Sequence, residues 1–371
     1  MNRMEPGRRE LLKILACTAA SCPFAVAGRG LAAVGAPHRA AHWEALDGKR
    51  VRCTLCPREC VVADRERGTC GVRENRGGAY YTLVHSNPCS LNNDPIEKKP
   101  LFHFRPGSRA LSLATAGCNI ECRFCQNWEI SQFRPEQIPS RTVTPDEVVR
   151  HARRLGSRAI AFTYSEPVVF YEYMRDICAA AEGTDVGRVM ISNGYINREP
   201  LAELLPLLDG VKVDFKAFSE SFYKDVCSAH LRPVLDTLVR VREAGVWLEL
   251  VVLVIPTLND AEREIEAMSR WIVQKLGPNV PIHFTRFHPM YKLKNLPPTP
   301  VRTLERARRT ALEAGLRFAY AGNVPGHPAE NTVCPGCGAT LIARDGYHIV
   351  SNRIEDGRCP ECGAAIAGRW S

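Results

Sequence analysis

No stretch of this 371-residue chain is long and apolar enough to cross a bilayer as an ordinary helix, which excludes a stable helical membrane span. Lys and Arg form no run. The formal net charge of +9 is moderate and scattered, so the mark of a basic nucleic-acid-binding tail is missing. A basic stripe interleaved with aromatics is missing too, and no nucleic-acid partner is expected. There is no low-complexity segment and no internal repeat beyond two short Cys-Pro-x-Cys pieces near the C-terminus, so nothing points to a repeat architecture. What the chain does have is apolar residues, at 45%, enough for one large α/β domain with small appendages.

It also has sixteen cysteines, and eleven fall in three clusters. These are Cys53, Cys56, Cys60 and Cys70; then Cys118, Cys122 and Cys125; then Cys334, Cys337, Cys359 and Cys362. Closely spaced C-x2-C pairs in a chain this large suit metal ions better than a disulfide framework. The reading is a multi-metal protein that needs reducing conditions.

The N-terminus pulls the other way. Arg8-Arg9 precedes a short, weakly apolar stretch, Ile14 to Val26, that ends in Ala25-Val26-Ala27. Residues 1–36 therefore look like a twin-arginine leader, a route that exports folded proteins with cofactors in place. Two localisations stay open: the cytoplasm, where low-potential electrons are supplied, or export by that route.

Between residues 50 and 105 lies a Cys-rich segment with turn signals and little periodicity. From 106 to 322 strands alternate with helices. Strands are predicted at 110–116, 159–164, 188–193, 210–215, 247–255, 282–287 and 317–321. Helices are predicted at 145–155, 168–182, 198–208, 231–244, 260–276 and 301–314. Thr144-Pro145-Asp146-Glu147 reads as a capped helix start, and Gly245 as a helix stop. Such alternation implies a parallel sheet with right-handed crossovers. The expected fold is α/β, a partial (β/α)6 TIM-like barrel, with a doubly wound sheet as the alternative. Residues 323–371 form a small zinc-ribbon- or rubredoxin-like module.

In such sheets ligands bind at the C-terminal ends of strands. Strand one runs into Gly117 and the C-x3-C-x2-C set Cys118, Cys122 and Cys125. An iron–sulfur cubane normally takes four cysteines. Three, with no fourth close behind, leave one iron open to another ligand. Other strand ends carry Thr163-Tyr164-Ser165-Glu166-Pro167, Ser192-Asn193-Gly194-Tyr195, Asp214-Phe215-Lys216 and His288.

This spacing, with Phe124 before the third Cys, resembles the signature of the radical SAM superfamily. Residues 110–290 look like its pyruvate formate-lyase activating enzyme branch. The resemblance implies a 4Fe-4S cluster on Cys118, Cys122 and Cys125, with S-adenosylmethionine on the open iron and its reductive cleavage to a 5′-deoxyadenosyl radical. A low-potential flavodoxin- or ferredoxin-like donor is implied as partner. The family's Gly-Gly-Glu-Pro-like motif becomes Thr163 to Pro167, with both glycines replaced. By the same resemblance Thr163, Ser165 and Glu166 face the S-adenosylmethionine amino group, Ser192 and Asn193 its ribose, Asp214 and Lys216 its carboxylate, and His288 its methionine moiety.

A longer match covers nearly everything after residue 50. CTLCPREC…GTCGVRENRGG at 53–78, DPIEKKPLFHF at 94–104, AGCNIECRFCQNWEISQ at 116–132 and the terminal AENTVCPGCG…DGRCPECG resemble the radical SAM member of the AmmeMemoRadiSam system. That resemblance implies Memo-like and AMMECR-type partner proteins. The expected activity is hydrogen abstraction from an unidentified small molecule or partner protein, including glycyl-radical activation. The alternative is a non-catalytic electron-transfer or scaffold protein.

The flanking cysteines complete the reading. Cys334-Pro335-Gly336-Cys337 and Cys359-Pro360-Glu361-Cys362 make two matched knuckles suited to a tetrahedral ion, with zinc favoured over iron. Cys53, Cys56, Cys60 and Cys70 are open to zinc, slightly favoured, or a second 4Fe-4S cluster.

Overall fold

Short runs of small and β-branched apolar residues, each followed by an amphipathic stretch, dictate the middle of the chain. The computed structural model describes residues 38–371; the leader expected over 1–36 lies outside the described residues. Eight strands lie side by side in the order Ala319–Gly322, Ile282–Arg286, Trp247–Val254, Gly210–Asp214, Gly187–Ser192, Ala159–Phe162, Arg109–Ala114 and Ser90–Pro95. The first seven run parallel, and Ser90–Pro95 closes one edge antiparallel to Arg109–Ala114. The two end strands do not pair, so the barrel is partial, as expected. All four residues of Ala159–Phe162 are buried, which is why the parallel strands read as unbroken apolar runs.

The predicted helices are present with trimmed ends: Pro145–Arg154, Tyr171–Ala180, Arg198–Leu204, Leu231–Glu243, Glu262–Lys275 and Val301–Glu313. At Thr144 the hydroxyl accepts the Glu147 N–H at 3.4 Å and Glu147 Oε2 accepts the Thr144 N–H at 2.8 Å. Such a cap contributes about 1 kcal/mol. Gly245 ends the Leu231–Glu243 helix at φ +72°, with its N–H on the Arg242 carbonyl.

Three things escaped the pattern. The Cys-rich segment holds two small sheets: Trp43–Leu46 with Arg50–Cys53 and Val61–Val62, and His38–Arg39 with Ala79–Thr82 and Arg73–Arg76. Strands this short show no readable alternation. The edge strand Ser90–Pro95, SLNNDP, is too polar to read as one. A further helix, Glu220–Cys227, is capped by Ser219, whose hydroxyl accepts the Phe222 N–H.

The segment after the edge strand plugs the base of the sheet. Glu249, fully buried, accepts the N–H groups of Phe102 and His103 at 3.0 and 2.8 Å, the Trp247 indole N–H at 3.0 Å, and lies 2.8 Å from His283 Nε2. The Phe104 ring stands 3.2 to 3.3 Å from where a side chain would begin on Gly187 and Gly210. The C-terminal strands Thr332–Val333, Thr340–Asp345 and His348–Asn352 form their own sheet, but share an apolar cluster with Phe102, Phe318 and Tyr320.

His103 ties these parts together. Its Nδ1 lies 2.7 Å from the Ala367 carbonyl and so donates there, leaving neutral Nε2 to accept from the Tyr320 hydroxyl at 2.6 Å. Burial pushes its pKa down to about 4 from 6.5. Between those values the unfolded chain binds a proton that the native one does not, so stability is lost as pH falls through pH 6.5 toward 4. The loss reaches about 3 kcal/mol. In His103→Gln most of that slope should vanish, read as the pH dependence of the urea midpoint; an unchanged slope would assign it elsewhere.

Candidate functional site

The chain leaves the Arg109–Ala114 strand into a loop that only glycine can begin. Gly117 has φ +97°, and a Cβ there would sit 2.6 Å from Val72 Cγ1 and 2.8 Å from the Cys70 carbonyl oxygen. The loop is then pinned from below by the helix that sequence reading missed. Glu121 N–H donates to the Cys227 carbonyl and Arg123 N–H to that of Val226, both at 2.9 Å.

Cys118, Cys122 and Cys125 are free thiols on one cavity of about 460 Å³. Backbone N–H groups of Ile120 and Asn127 face the sulfurs of Cys118 and Cys125. Burial raises both thiols. Cys122 is pulled below its ordinary value, first by the Cys227 thiol donating to it, then, against burial, by the Lys216 ammonium. No three sulfurs of this loop lie within 4.8 Å of one another, a spread too wide for a single ion. Three spaced thiols on a nucleoside-sized cavity fit a cubane with one open iron.

Around the cavity the strand ends converge. Thr163, Ser165, Glu166, Asn193, Asp214 and Lys216 all line it. Asn193 Nδ2 lies 3.8 Å from Cys118 Sγ and donates to Asn119 Oδ1 at 2.9 Å. Glu166 is buried, and its carboxylate accepts from Ser192 Oγ at 2.6 Å, from the Asn193 N–H at 2.8 Å and from the Val168 N–H at 3.1 Å. Burial pushes this carboxyl up to about 7 against the pull of those donors. With most of its acceptor capacity used, Glu166 acts chiefly to hold two strand ends together.

Two expected residues are elsewhere. Ser192 is buried behind the wall, with its hydroxyl turned to Glu166, so it supports the site without facing it. His288 is exposed and does not line the cavity, because the chain turns outward after Ile282–Arg286. The histidine of that strand that does reach the cavity is His283.

The replaced glycines have a structural answer. Tyr164 takes the left-handed conformation a glycine would, at φ +65°. It is held there by Asn127 Nδ2 donating to its carbonyl at 2.8 Å, by its hydroxyl donating to Asp94, and by Lys99 Nζ 4.3 Å over its ring. Asp94 also takes Lys99 Nζ at 2.6 Å. Burial lowers Lys99 to about 8, against the pull of Asp94. Ser165 Oγ donates to the Thr115 carbonyl at 2.7 Å.

Lys212 is the charged residue that sequence reading overlooked. Its ammonium bonds to Asp214 Oδ1, while Lys216 Nζ sits 3.2 Å from Oδ2. Burial by itself would raise Asp214, but the two ammonium groups hold it below the usual carboxylate range. Residues 212 and 214 share one face of the Gly210–Asp214 strand and Lys216 follows just beyond it, so Lys-x-Asp-x-Lys was a readable signal. Asn259 Nδ2 fixes the far end by donating to the Lys216 carbonyl at 2.7 Å.

At the C-terminus Cys334, Cys337, Cys359 and Cys362 bring their sulfurs within 4.8 Å of one another. Cys334–Cys362 is 3.6 Å and Cys337–Cys359 3.7 Å, against about 3.8 Å for the edge of a tetrahedron with 2.3 Å metal–sulfur arms. Gly338 and Gly363, at φ +78° and +72°, turn each knuckle back.

The radical SAM superfamily profile matches residues 112–268. An uncharacterized protein of Methanocaldococcus jannaschii is 47% identical over 326 residues, covering 87% of this chain and 97% of that protein. A second uncharacterized protein of the same organism is 24% identical over 278 residues, 72% of this chain and 75% of that protein. Among solved structures, a domain of pyruvate-formate lyase-activating enzyme from Bacteroides vulgatus is similar over 44% of this chain and 98% of its own. The identity is 17% and the TM-score 0.40.

Proposed function

Because the chain belongs to the radical SAM superfamily, whose members carry a 4Fe-4S cluster and S-adenosylmethionine, we propose that Cys118, Cys122 and Cys125 hold that cluster and that the adjoining cavity holds the nucleoside. The observation that carries this is three free thiols, not all within 4.8 Å of one another, on a cavity that also reaches Asn193, Asp214 and Lys216. Held there, the two cofactors together supply a 5′-deoxyadenosyl radical.

The protein's own residues have four tasks. Lys216 presents a fixed positive charge to a ligand carboxylate, with Asp214 and Lys212 keeping it in place. Thr163, Ser165 and the remaining lone pair of Glu166 face a ligand ammonium. Asn193 sets the loop around Cys118 through Asn119. Ile120, Ile191, Val251 and Leu253 give the cavity apolar walls that exclude water from reactive species.

The reaction we infer is hydrogen abstraction from a substrate at the cavity mouth, either a small molecule or a partner protein activated through a glycyl radical. Such an enzyme needs a reductant, and a low-potential flavodoxin- or ferredoxin-like protein is the inferred donor. Memo-like and AMMECR-type partners are inferred from the long matching phrases at 53–78, 94–104 and 116–132. Zinc is the inferred ion at Cys334, Cys337, Cys359 and Cys362.

The test is anaerobic. The protein is reconstituted with iron and sulfide, reduced and given S-adenosylmethionine, and 5′-deoxyadenosine is quantified by chromatography. Wild type should form it and Cys118→Ala should not. Equal product from both proteins would overturn the assignment. No product from wild type with an intact, reduced cluster would favour the electron-transfer or scaffold alternative.

A further inference from the structure

We propose that Cys53, Cys56, Cys60 and Cys70 hold a second 4Fe-4S cluster beside the first site, and not a zinc ion. All four thiols are free. They come from the end of the Arg50–Cys53 strand, the turn after it and the loop that returns to Arg73, and they are tied to one another by the chain. Cys53 N–H donates to the Cys60 carbonyl at 2.9 Å, and Cys60 Sγ lies 3.4 Å from Thr69 Oγ1, next to Cys70. Backbone N–H groups two residues on, at Arg58 and Val72, face the sulfurs of Cys56 and Cys70. That N–H···S turn recurs at Cys118 and Cys125 and at Cys334, where Gly336 N–H lies 3.4 Å from the sulfur.

Spacing divides the three sets. The C-terminal four meet within 4.8 Å, the size of a tetrahedron around one ion. No three of Cys53, Cys56, Cys60 and Cys70 do so, and in this they match Cys118, Cys122 and Cys125. A cubane sets its thiolates at the corners of a larger tetrahedron because four irons and four sulfides fill the middle.

The surroundings point inward to such a filling. The Tyr80 side chain is fully buried, yet its hydroxyl has no hydrogen-bond partner. It lies where a side chain on Gly68 would touch it at 2.9 Å, with Cys60 Sγ 3.6 Å from the same point. A buried unpaired hydroxyl costs about 1–3 kcal/mol. Thiolates can accept from it at either kind of centre, and the bridging sulfides of a cluster add further acceptors in the space between. Arg73, also buried and ion-paired with the buried Glu172, brings Nη1 to 3.6 Å from Cys53 Sγ as a donor toward the thiols.

The centre adjoins the loop of the first site. The Cys70 carbonyl meets Gly117, Arg58 Nε donates to the Asn119 carbonyl at 2.9 Å, and Cys70 and Cys118 line one crevice. Two clusters placed so are close enough for the unpaired spin of one to broaden the signal of the other.

The test counts sulfide. After anaerobic reconstitution and desalting, wild type should hold about eight iron and eight acid-labile sulfide per chain, and the Cys118→Ala/Cys122→Ala/Cys125→Ala variant about four of each. The variant's EPR signal should not move when S-adenosylmethionine is added, and the doubly reduced wild type should show a broadened signal that the variant lacks. Iron taken up by the C-terminal knuckles brings no sulfide, so sulfide decides. Tyr80→Phe should keep both clusters and shift the reduction potential of the S-adenosylmethionine-insensitive signal, since hydrogen bonds to the sulfurs tune it. About four sulfide in wild type and none in the triple variant would overturn the proposal, whether zinc or nothing sits on the N-terminal thiols. About four in both would retain it and overturn instead the cluster at Cys118, Cys122 and Cys125. If the triple variant fails to fold, the wild type decides: about eight sulfide upholds the second cluster, about four with an S-adenosylmethionine-sensitive EPR signal overturns it, and about four with an insensitive signal retains it.

Discussion

Gly117→Ala is expected to lose most of the iron bound at the neighbouring loop, and at least ten-fold in 5′-deoxyadenosine formation. The alanine methyl would lie 2.6 Å from Val72 Cγ1 and 2.8 Å from the Cys70 carbonyl. Val72 is fully buried, and the carbonyl belongs to backbone, so neither can swing aside. A non-glycine residue at φ +97° adds about 1–3 kcal/mol of strain, and overpacking about as much again. The loop has a cheaper escape than global unfolding: it can shift, and Cys118 shifts with it. Iron and sulfide content together with thermal stability distinguish these outcomes. Pairing the change with Val72→Ala should restore only part of the iron, because the carbonyl contact and the strain persist. Full iron content in Gly117→Ala alone would show that the loop tolerates displacement.

Asp214→Ala is expected to lower global stability by about 3 kcal/mol, the low end for breaking a buried ion pair. The carboxylate bridges two ammonium groups, and removing it leaves Lys212 buried without its bonded counter-charge and Lys216 with only the cavity to face. Asp214 is itself 34% exposed, toward the cavity, and that moderates the cost. Denaturant midpoints for Asp214→Ala and for Asp214→Ala/Lys212→Met make the argument specific. The double variant should recover most of the loss, because the stranded charge is gone. If it is no more stable than the single one, the penalty lies in packing and not in charge. S-adenosylmethionine binding should stay weak in both, since Lys216 loses its anchor either way.

The cysteine spacings and the strand-end motifs were legible because their meaning is local. C-x3-C-x2-C fixes three sulfurs within one loop, and the Cys-Pro-x-Cys knuckles with their glycines fix two each, whatever surrounds them. Strand–helix alternation was legible for the same reason: burial on both faces writes an unbroken apolar run, and a crossover helix writes a 3.6-residue period. The residues that carry the resemblance to the radical SAM superfamily are of this kind. So is Lys212, whose place two residues before Asp214 already set it on the same face.

Other features depended on contacts between distant segments, and no window of sequence holds them. That Ser192 turns to Glu166 and away from the cavity follows from two strand ends meeting across the sheet. That His288 points outward while His283 reaches the cavity depends on where the chain leaves its strand. The polar edge strand Ser90–Pro95 is a strand only because Arg109–Ala114 offers it a partner. The helix Glu220–Cys227 matters because its last carbonyls meet the cysteine loop. Above all, that the four C-terminal sulfurs gather within reach of one ion while the other two sets do not is a matter of distances between sulfurs. Sequence by itself determined the candidate ligands, the parallel sheet and the superfamily, since each is written in near-neighbour spacing. Tertiary structure alone decided which side chains face the cavity and how far apart the thiols stand, because both are set by the packing of segments remote in the chain.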